Sequence, residues 1–215
     1  MLKRLLIILL VVALIAGGLS AFWWATRPAT SAPQPILLGA VGDALGFARA
    51  LAPRPFTFPA DDGPHADYQT EWWYYTGNLT TAGGQHVGYQ LTIFRRGLTP
   101  GLPSRPSDLA SNQVYFAHLA FTDVAAGTHT AFERFSRGAL GLAGASGNPY
   151  TAWIEGWRVD SISPDGSAVH LVAGSGPQAL DLNLRAAKPI VAHGDHGLSP
   201  KSDTPGNASY PGGCS

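Results

Sequence analysis

EWWYYTGNLTTAGGQHVGYQLTIFRR, residues 71–96, is the stretch whose reading decides the fold. Its first run, Trp72 to Leu79, is dominated by aromatic residues and closes at Ala82-Gly83-Gly84. The second, His86 to Arg96, sets Val87, Tyr89, Leu91 and Ile93 at every second position, the period of a strand with one covered face. Downstream the pattern continues. A Pro-rich loop, GLTPGLPSRPSD, leads to Gln113–Asp123, with Tyr115, Ala117, Leu119 and Phe121 on one face and Val114, Phe116 and Ala120 on the other. Further strand-like runs are His129 to Ser136, Thr151 to Val159, Ala168 to Ala173 and Ala179 to Ala186. Short strands separated by turns, with no helical period, predict an all-β antiparallel barrel or sandwich. There is no internal repeat of about 20–50 residues, which argues against a propeller or solenoid.

Composition agrees. The 215 residues include Gly 26 and Pro 17, too turn-rich for a helical bundle, while 45% hydrophobic is too apolar for disorder. Asp outnumbers Glu 11 to 3 and Arg outnumbers Lys 11 to 3, so the charged residues that favour helices are scarce. With Lys+Arg 14 against Asp+Glu 14 and no basic run, nothing tracks phosphates, and nucleic acid is not an expected partner. The single cysteine, Cys214, cannot form an intramolecular disulfide.

The chain opens Met1-Leu2-Lys3-Arg4 and continues with an apolar run from Leu5 to Trp24. A basic start before an apolar helix is an export signal. The run is about as long as the ~20 residues that span a bilayer, and Trp23-Trp24 resembles an interfacial belt. These features favour an uncleaved membrane anchor over a cleaved signal, with the body on the outer side. The expected organisation is a signal or anchor at 1–25 and a Pro/Ala-rich tether at 26–60 with a short helix, Ile36 to Leu51. A β domain follows at 61–200, then a terminal segment at 201–215.

Two places concentrate candidate chemistry. On the Thr151–Val159 run, Trp153, Glu155 and Trp157 fall on one face, and Glu71 stands directly before Trp72-Trp73-Tyr74-Tyr75. A carboxyl among aromatic rings disfavours its charged form and can act as an acid. The competing reading pairs Glu155 with Arg158 or Arg134 and leaves the tryptophans as core. His118 reads as a hydrogen-bonded core histidine. His65-Ala66-Asp67 and His193-Gly194-Asp195-His196 match no metal-ligand spacing, so no metal is expected.

The segment Asp62-Gly63-Pro64-His65-Ala66-Asp67-Tyr68-Gln69-Thr70-Glu71-Trp72-Trp73-Tyr74-Tyr75-Thr76-Gly77-Asn78-Leu79 resembles the first lipocalin-like domain of the carotenoid 1,2-hydratase (hydroxyneurosporene synthase) family. That family includes exported AttH-type proteins, often described as secreted hydrolases, so the resemblance implies a hydro-lyase (alkene hydratase) or a hydrolase. Gln113–His118, Phe132–Gly144, Trp153–Trp157 and Lys201–Tyr210 extend the likeness across residues 61–210. The resemblance implies a lipocalin-like β-barrel, complete or incomplete, and a second such domain as partner. No position here matches that domain's Trp-x-Asp-His-Glu-Trp-type motif, so the resemblance implies that the chain is the N-terminal half, with residues 201–215 the aborted start of the second domain, and inactive alone.

Hydration of an isoprenoid-type alkene needs an acid to protonate carbon and aromatic faces to stabilise the cation, without a cofactor. On that reading Glu71 and Glu155 are catalytic, and Trp72, Trp73, Tyr75, His118, Trp153 and Trp157 bind substrate. The alternative is an exported, membrane-associated protein of the cell envelope that binds a lipid or other hydrophobic small molecule without catalysis, in its lumen. Carboxyls that share one cavity favour chemistry; carboxyls held in ion pairs favour binding.

Overall fold

The period-two runs pair with their sequence neighbours. In the computed structural model, which describes residues 46–101, 107 and 109–210, β1 (Thr70–Thr80), β2 (His86–Gly97), β3 (Gln113–Asp123) and β4 (Thr128–Arg137) form an antiparallel sheet in chain order. A second antiparallel sheet holds β5 (Ala143–Ser146), β6 (Thr151–Ile154), β7 (Trp157–Ser161), β8 (Ala168–Ser175) and β9 (Gln178–Arg185), again in chain order. A short ribbon pairs β10 (Ser199–Pro200) with β11 (Ala208–Ser209).

Alternation builds the core. Trp73 on β1, Tyr89, Leu91 and Ile93 on β2, and Tyr115, Ala117 and Leu119 on β3 face inward. They meet Ala152, Ile154, Trp157, Val159, Leu171, Ala173 and Leu180 of the second sheet. Leu91, Ile93, Leu119, Ile154 and Leu171 have no exposed surface, and burying each such side chain stabilises by ~1.5–3 kcal/mol. The layer between the sheets is filled by side chains.

Of the barrel and the sandwich that the sequence leaves open, the described residues form an open two-layer arrangement, since no ladder among them joins the two sheets. After β4 the chain passes through Leu140 (φ 53°) and Gly141 (φ 70°), two consecutive left-handed residues that redirect it into the second layer. Two expectations are corrected. Thr151–Val159 is not one strand. Glu155 takes φ 54° and β6 folds back on β7, with Ile154 opposite Trp157 and Trp153 opposite Arg158. Trp153 and Trp157 therefore lie on opposite faces.

Likewise, the helix expected over Ile36–Leu51 does not reach residues 46–51. Gly46 has φ +104°, and Ala48 instead forms a parallel bridge to Tyr68, its N–H donating to Asp67 C=O at 2.9 Å. Residues 36–45 and the apolar N-terminal run lie outside the described residues. Among the described residues no helix is long and apolar enough to cross a membrane.

The described part of the stretch expected to be a tether packs on the sheets. Tyr210 Oη donates to Ala52 C=O at 2.7 Å and meets the rings of Phe56 and Tyr68 edge-on.

Candidate functional site

Glu71 occupies the inward-facing parity of β1, two residues before Trp73, and lies opposite Arg95 of β2. Arg95 shares the inward parity of Leu91 and Ile93 and is 1% exposed. A guanidinium taken so far from water must be paired. Its Nε donates to Glu71 Oε2 at 3.1 Å, and Nη2 donates to the carbonyls of His65 (2.8 Å) and Tyr68 (2.7 Å). Nη1 is buried without a hydrogen-bond acceptor among the described residues.

The Glu71 carboxylate also accepts from His65 N–H at 3.0 Å and meets His65 Nδ1 at 2.7 Å. His65 Nε2 faces Asp61 Oδ1 at 3.1 Å, and Arg54 closes the chain of charges on Asp61 at 2.6 Å. The bond to Glu71 is the main reason the His65 pKa is raised. Burial pushes Asp61 upward, but hydrogen bonds from Thr57, Arg54 and His65 outweigh it and hold the carboxyl below its ordinary value. Glu71 thus links Arg95 to His65 in a network that runs Arg95–Glu71–His65–Asp61–Arg54.

Glu155 sits at the β6–β7 turn, half-exposed, with its carboxylate 3.2 Å from Arg134 Nε. The Arg134 guanidinium lies 4.9 Å from the Trp157 ring centroid. Trp157 is buried and donates from Nε1 to Gly174 C=O at 2.8 Å. Trp153 lies on the other face over Gly144, its Nε1 donating to Gly141 C=O at 2.9 Å. Glu71 and Glu155 are held by different arginines, Arg95 and Arg134.

Sequence reasoning missed Asp62. Its carboxyl, half-buried by the Pro59 turn and Gly166, is pushed up to about 6, by burial first and then by neighbouring Asp61. Trp73 Nε1 donates to its carbonyl at 2.9 Å. The Tyr75 and Tyr150 hydroxyls bond each other nearby; burial raises Tyr75 well above its ordinary value and Tyr150 to about 12. The tertiary contact that traps Asp62 left no trace in local sequence.

The remaining candidates, Trp72 and His118, come together on the outer face of the first sheet. Register aligns Trp72, Phe94, Phe116 and Phe135 in one row across all four strands. Phe94 and Phe116 stack with centroids 4.4 Å apart and planes 8° from parallel. The adjacent row is Tyr74, Thr92, His118 and Glu133; His118 meets Phe94 and Phe116 at 5.6 and 5.9 Å. His118 is therefore on the surface, not in the core, with Nε2 3.7 Å from Glu133. Trp72, Tyr74 and Phe135 are 40, 50 and 52% exposed. These side chains give the outer face of the first sheet an aromatic, partly exposed surface. Its signal in sequence was the second apolar face of β3, but the row itself needs cross-strand register.

Stacked antiparallel sheets with this inward core define a lipocalin-like β protein. The AttH-like family model matches residues 49–211, and the chain belongs to that family. The crystal structure of a candidate AttH from Nitrosomonas europaea is similar, with 26% sequence identity and a TM-score of 0.65 over 76% of this chain. That match covers 48% of the Nitrosomonas protein, so the chain spans about half its length. No curated protein matches the chain.

Proposed function

We propose that this AttH-like domain is a non-catalytic binder of a hydrophobic small molecule at the cell envelope, and that the ligand lies on the aromatic outer face of the first sheet. The observation that carries the reading is the row Trp72–Phe94–Phe116–Phe135, continued by Tyr74 and His118. Aromatic rings supply large apolar area at low entropic cost and stack on unsaturated or aliphatic chains.

Two further facts favour binding over hydration. The carboxyls suited to protonate an alkene, Glu71 and Glu155, are each committed to an arginine. The centre of the space between the sheets, where a lumen would lie, is occupied by Leu91, Ile93, Leu119, Ile154 and Leu171, which have no exposed surface, with Leu79, Phe121 and Leu184 packed around them partly buried. Placement at the envelope rests on the basic start and apolar run of residues 1–24.

The test is titration of the full chain with N-phenyl-1-naphthylamine, an uncharged dye that brightens in apolar surroundings. Phe135→Ser combined with Trp72→Ser should weaken dye binding at least tenfold while leaving the melting transition cooperative. Unchanged dye binding in that variant would overturn the assignment. Hydration of an isoprenoid alkene that is lost in Glu71→Gln would overturn the non-catalytic reading.

A further inference from the structure

Beyond the aromatic rows, the same outer face changes character. The next two rows are Thr76–Gln90–Ala120–Ala131 and Asn78–Gly88–Thr122–His129. Gly88 and Ala120 lack the bulk to fill the space above the sheet, and a groove of about 370 Å³ opens there. Thr76, Asn78, Gln90, Thr122 and His129 line it, with no carboxylate, lysine or arginine among the lining side chains. Thr122 Oγ1 and His129 Nδ1 are 2.9 Å apart, and Thr76 Oγ1 donates to Tyr89 C=O at 3.0 Å. The carboxamides of Asn78 and Gln90 hold no hydrogen bond among the described residues. Each offers two donors and an acceptor in one plane.

Rows on a strand face repeat every two residues, ~6.7 Å, so the groove begins ~13 Å from the Phe94 row and reaches ~20 Å at Gly88. An apolar stripe leading to a polar hollow at that distance is the mirror image of an amphiphile. At about 370 Å³ the groove lies at the small end of ligand sites, which run from about 300 to 1,000 Å³, enough for a head group rather than a whole lipid.

Building on the outer-face reading above, we infer that the groove takes the ligand's polar head, and that this head is uncharged and hydroxyl-rich, as in an alkyl glycoside. Hydroxyls both donate and accept, which matches two free carboxamides beside a threonine–histidine pair. An anionic head meets no lysine or arginine in the groove. A cationic head meets no carboxylate in it; Glu133 on the edge strand and Asp123 at the end of β3 lie outside the lining. The apolar chain then runs across Tyr74 and His118 onto Trp72, Phe94 and Phe116.

Gly88 provides the discriminating variant. Its backbone lies outside the left-handed region, and an added Cβ would make ordinary contact, 3.6 Å from Asn78 Oδ1 and from Thr122 Cβ. Gly88→Leu therefore fills the groove without disturbing the core. The full chain is titrated with n-octyl β-D-glucoside below its micellar concentration, with octanoate, with octyltrimethylammonium and with N-phenyl-1-naphthylamine.

The glucoside should bind at least tenfold more tightly than either charged amphiphile. Gly88→Leu should lose at least tenfold for the glucoside and leave dye binding unchanged. Asn78→Leu, an exposed substitution, should produce a smaller loss in the same direction and serves if Gly88→Leu melts early. Equal affinity for a charged amphiphile, or glucoside binding indifferent to both substitutions, overturns the groove assignment while dye binding keeps the aromatic face intact. Absence of dye binding to the unaltered chain overturns both.

Discussion

Glu71→Ala deletes the acceptor shared by Arg95 Nε, His65 N–H and His65 Nδ1. The Arg95 side chain is 1% exposed, and its Nη1 already lacks an acceptor among the described residues. Water is poorly placed to replace the lost carboxylate. Breaking a buried ion pair by removing one partner costs ~3–5 kcal/mol. The His65 side chain, 28% exposed, can turn toward solvent, so its share is smaller, ~0.5–1 kcal/mol. A loss of ~4 kcal/mol is a large part of the ~5–15 kcal/mol that holds a domain folded, and shifts Tm by ~10 °C in a domain of this size.

Urea unfolding followed by tryptophan fluorescence measures it, since Trp73 lies two residues from the substitution. The midpoint should fall with an unchanged slope. Arg95→Met in the Glu71→Ala background should recover part of the loss. Recovery should be incomplete, because the His65 and Tyr68 carbonyls then lose their donor. A loss below ~1 kcal/mol for Glu71→Ala would refute the view that Glu71 is structural.

Asp62→Asn tests the half-buried carboxyl. Its folded pKa of about 6 exceeds the ordinary 3.8, so the protonated form favours folding, and this contribution fades as pH rises through 6. The variant should match the parent at pH 4 and be more stable by ~1 kcal/mol at pH 7, after allowance for solvent screening; equal stability at both pH values would refute the assignment. Glu155→Gly relieves a left-handed residue, worth ~1–2 kcal/mol, and forfeits an exposed ion pair worth ~0–1 kcal/mol. Its urea midpoint should hold or rise, and a loss above ~2 kcal/mol would show that the Arg134 pair matters more than its exposure implies.

The strands of the first sheet were legible because apolar residues at Val87, Tyr89, Leu91 and Ile93 alternate with polar ones, and nothing local competes with that period. The same parity carries on to Arg95, so its inward orientation was readable although an arginine there contradicts the expectation that charges face out. The β6–β7 hairpin was not readable. Its turn is the pair Glu155-Gly156, in which Gly156 alone carries a turn signal, and the apolar positions on either side keep period two through the reversal. His118 reads as core because both faces of β3 are apolar; only the packing of Tyr115, Ala117 and Leu119 against the second sheet shows which face is covered. The Asp62 carboxyl and the aligned aromatic row depend on register and tertiary contact, which no local pattern encodes.

In both main sheets every ladder joins strands that are consecutive in the chain. Loop closure for these pairings is mostly short-range; the longest connection within the first sheet is the Pro-rich stretch between β2 and β3. Low sequence separation of contacts favours fast assembly. Each meander can zip hairpin by hairpin on its own, and the only late event is the collapse of one sheet's inner face onto the other. The slow step of folding should therefore be the docking of two preformed layers, with Leu91, Leu119, Ile154 and Leu171 as the residues whose contacts form last.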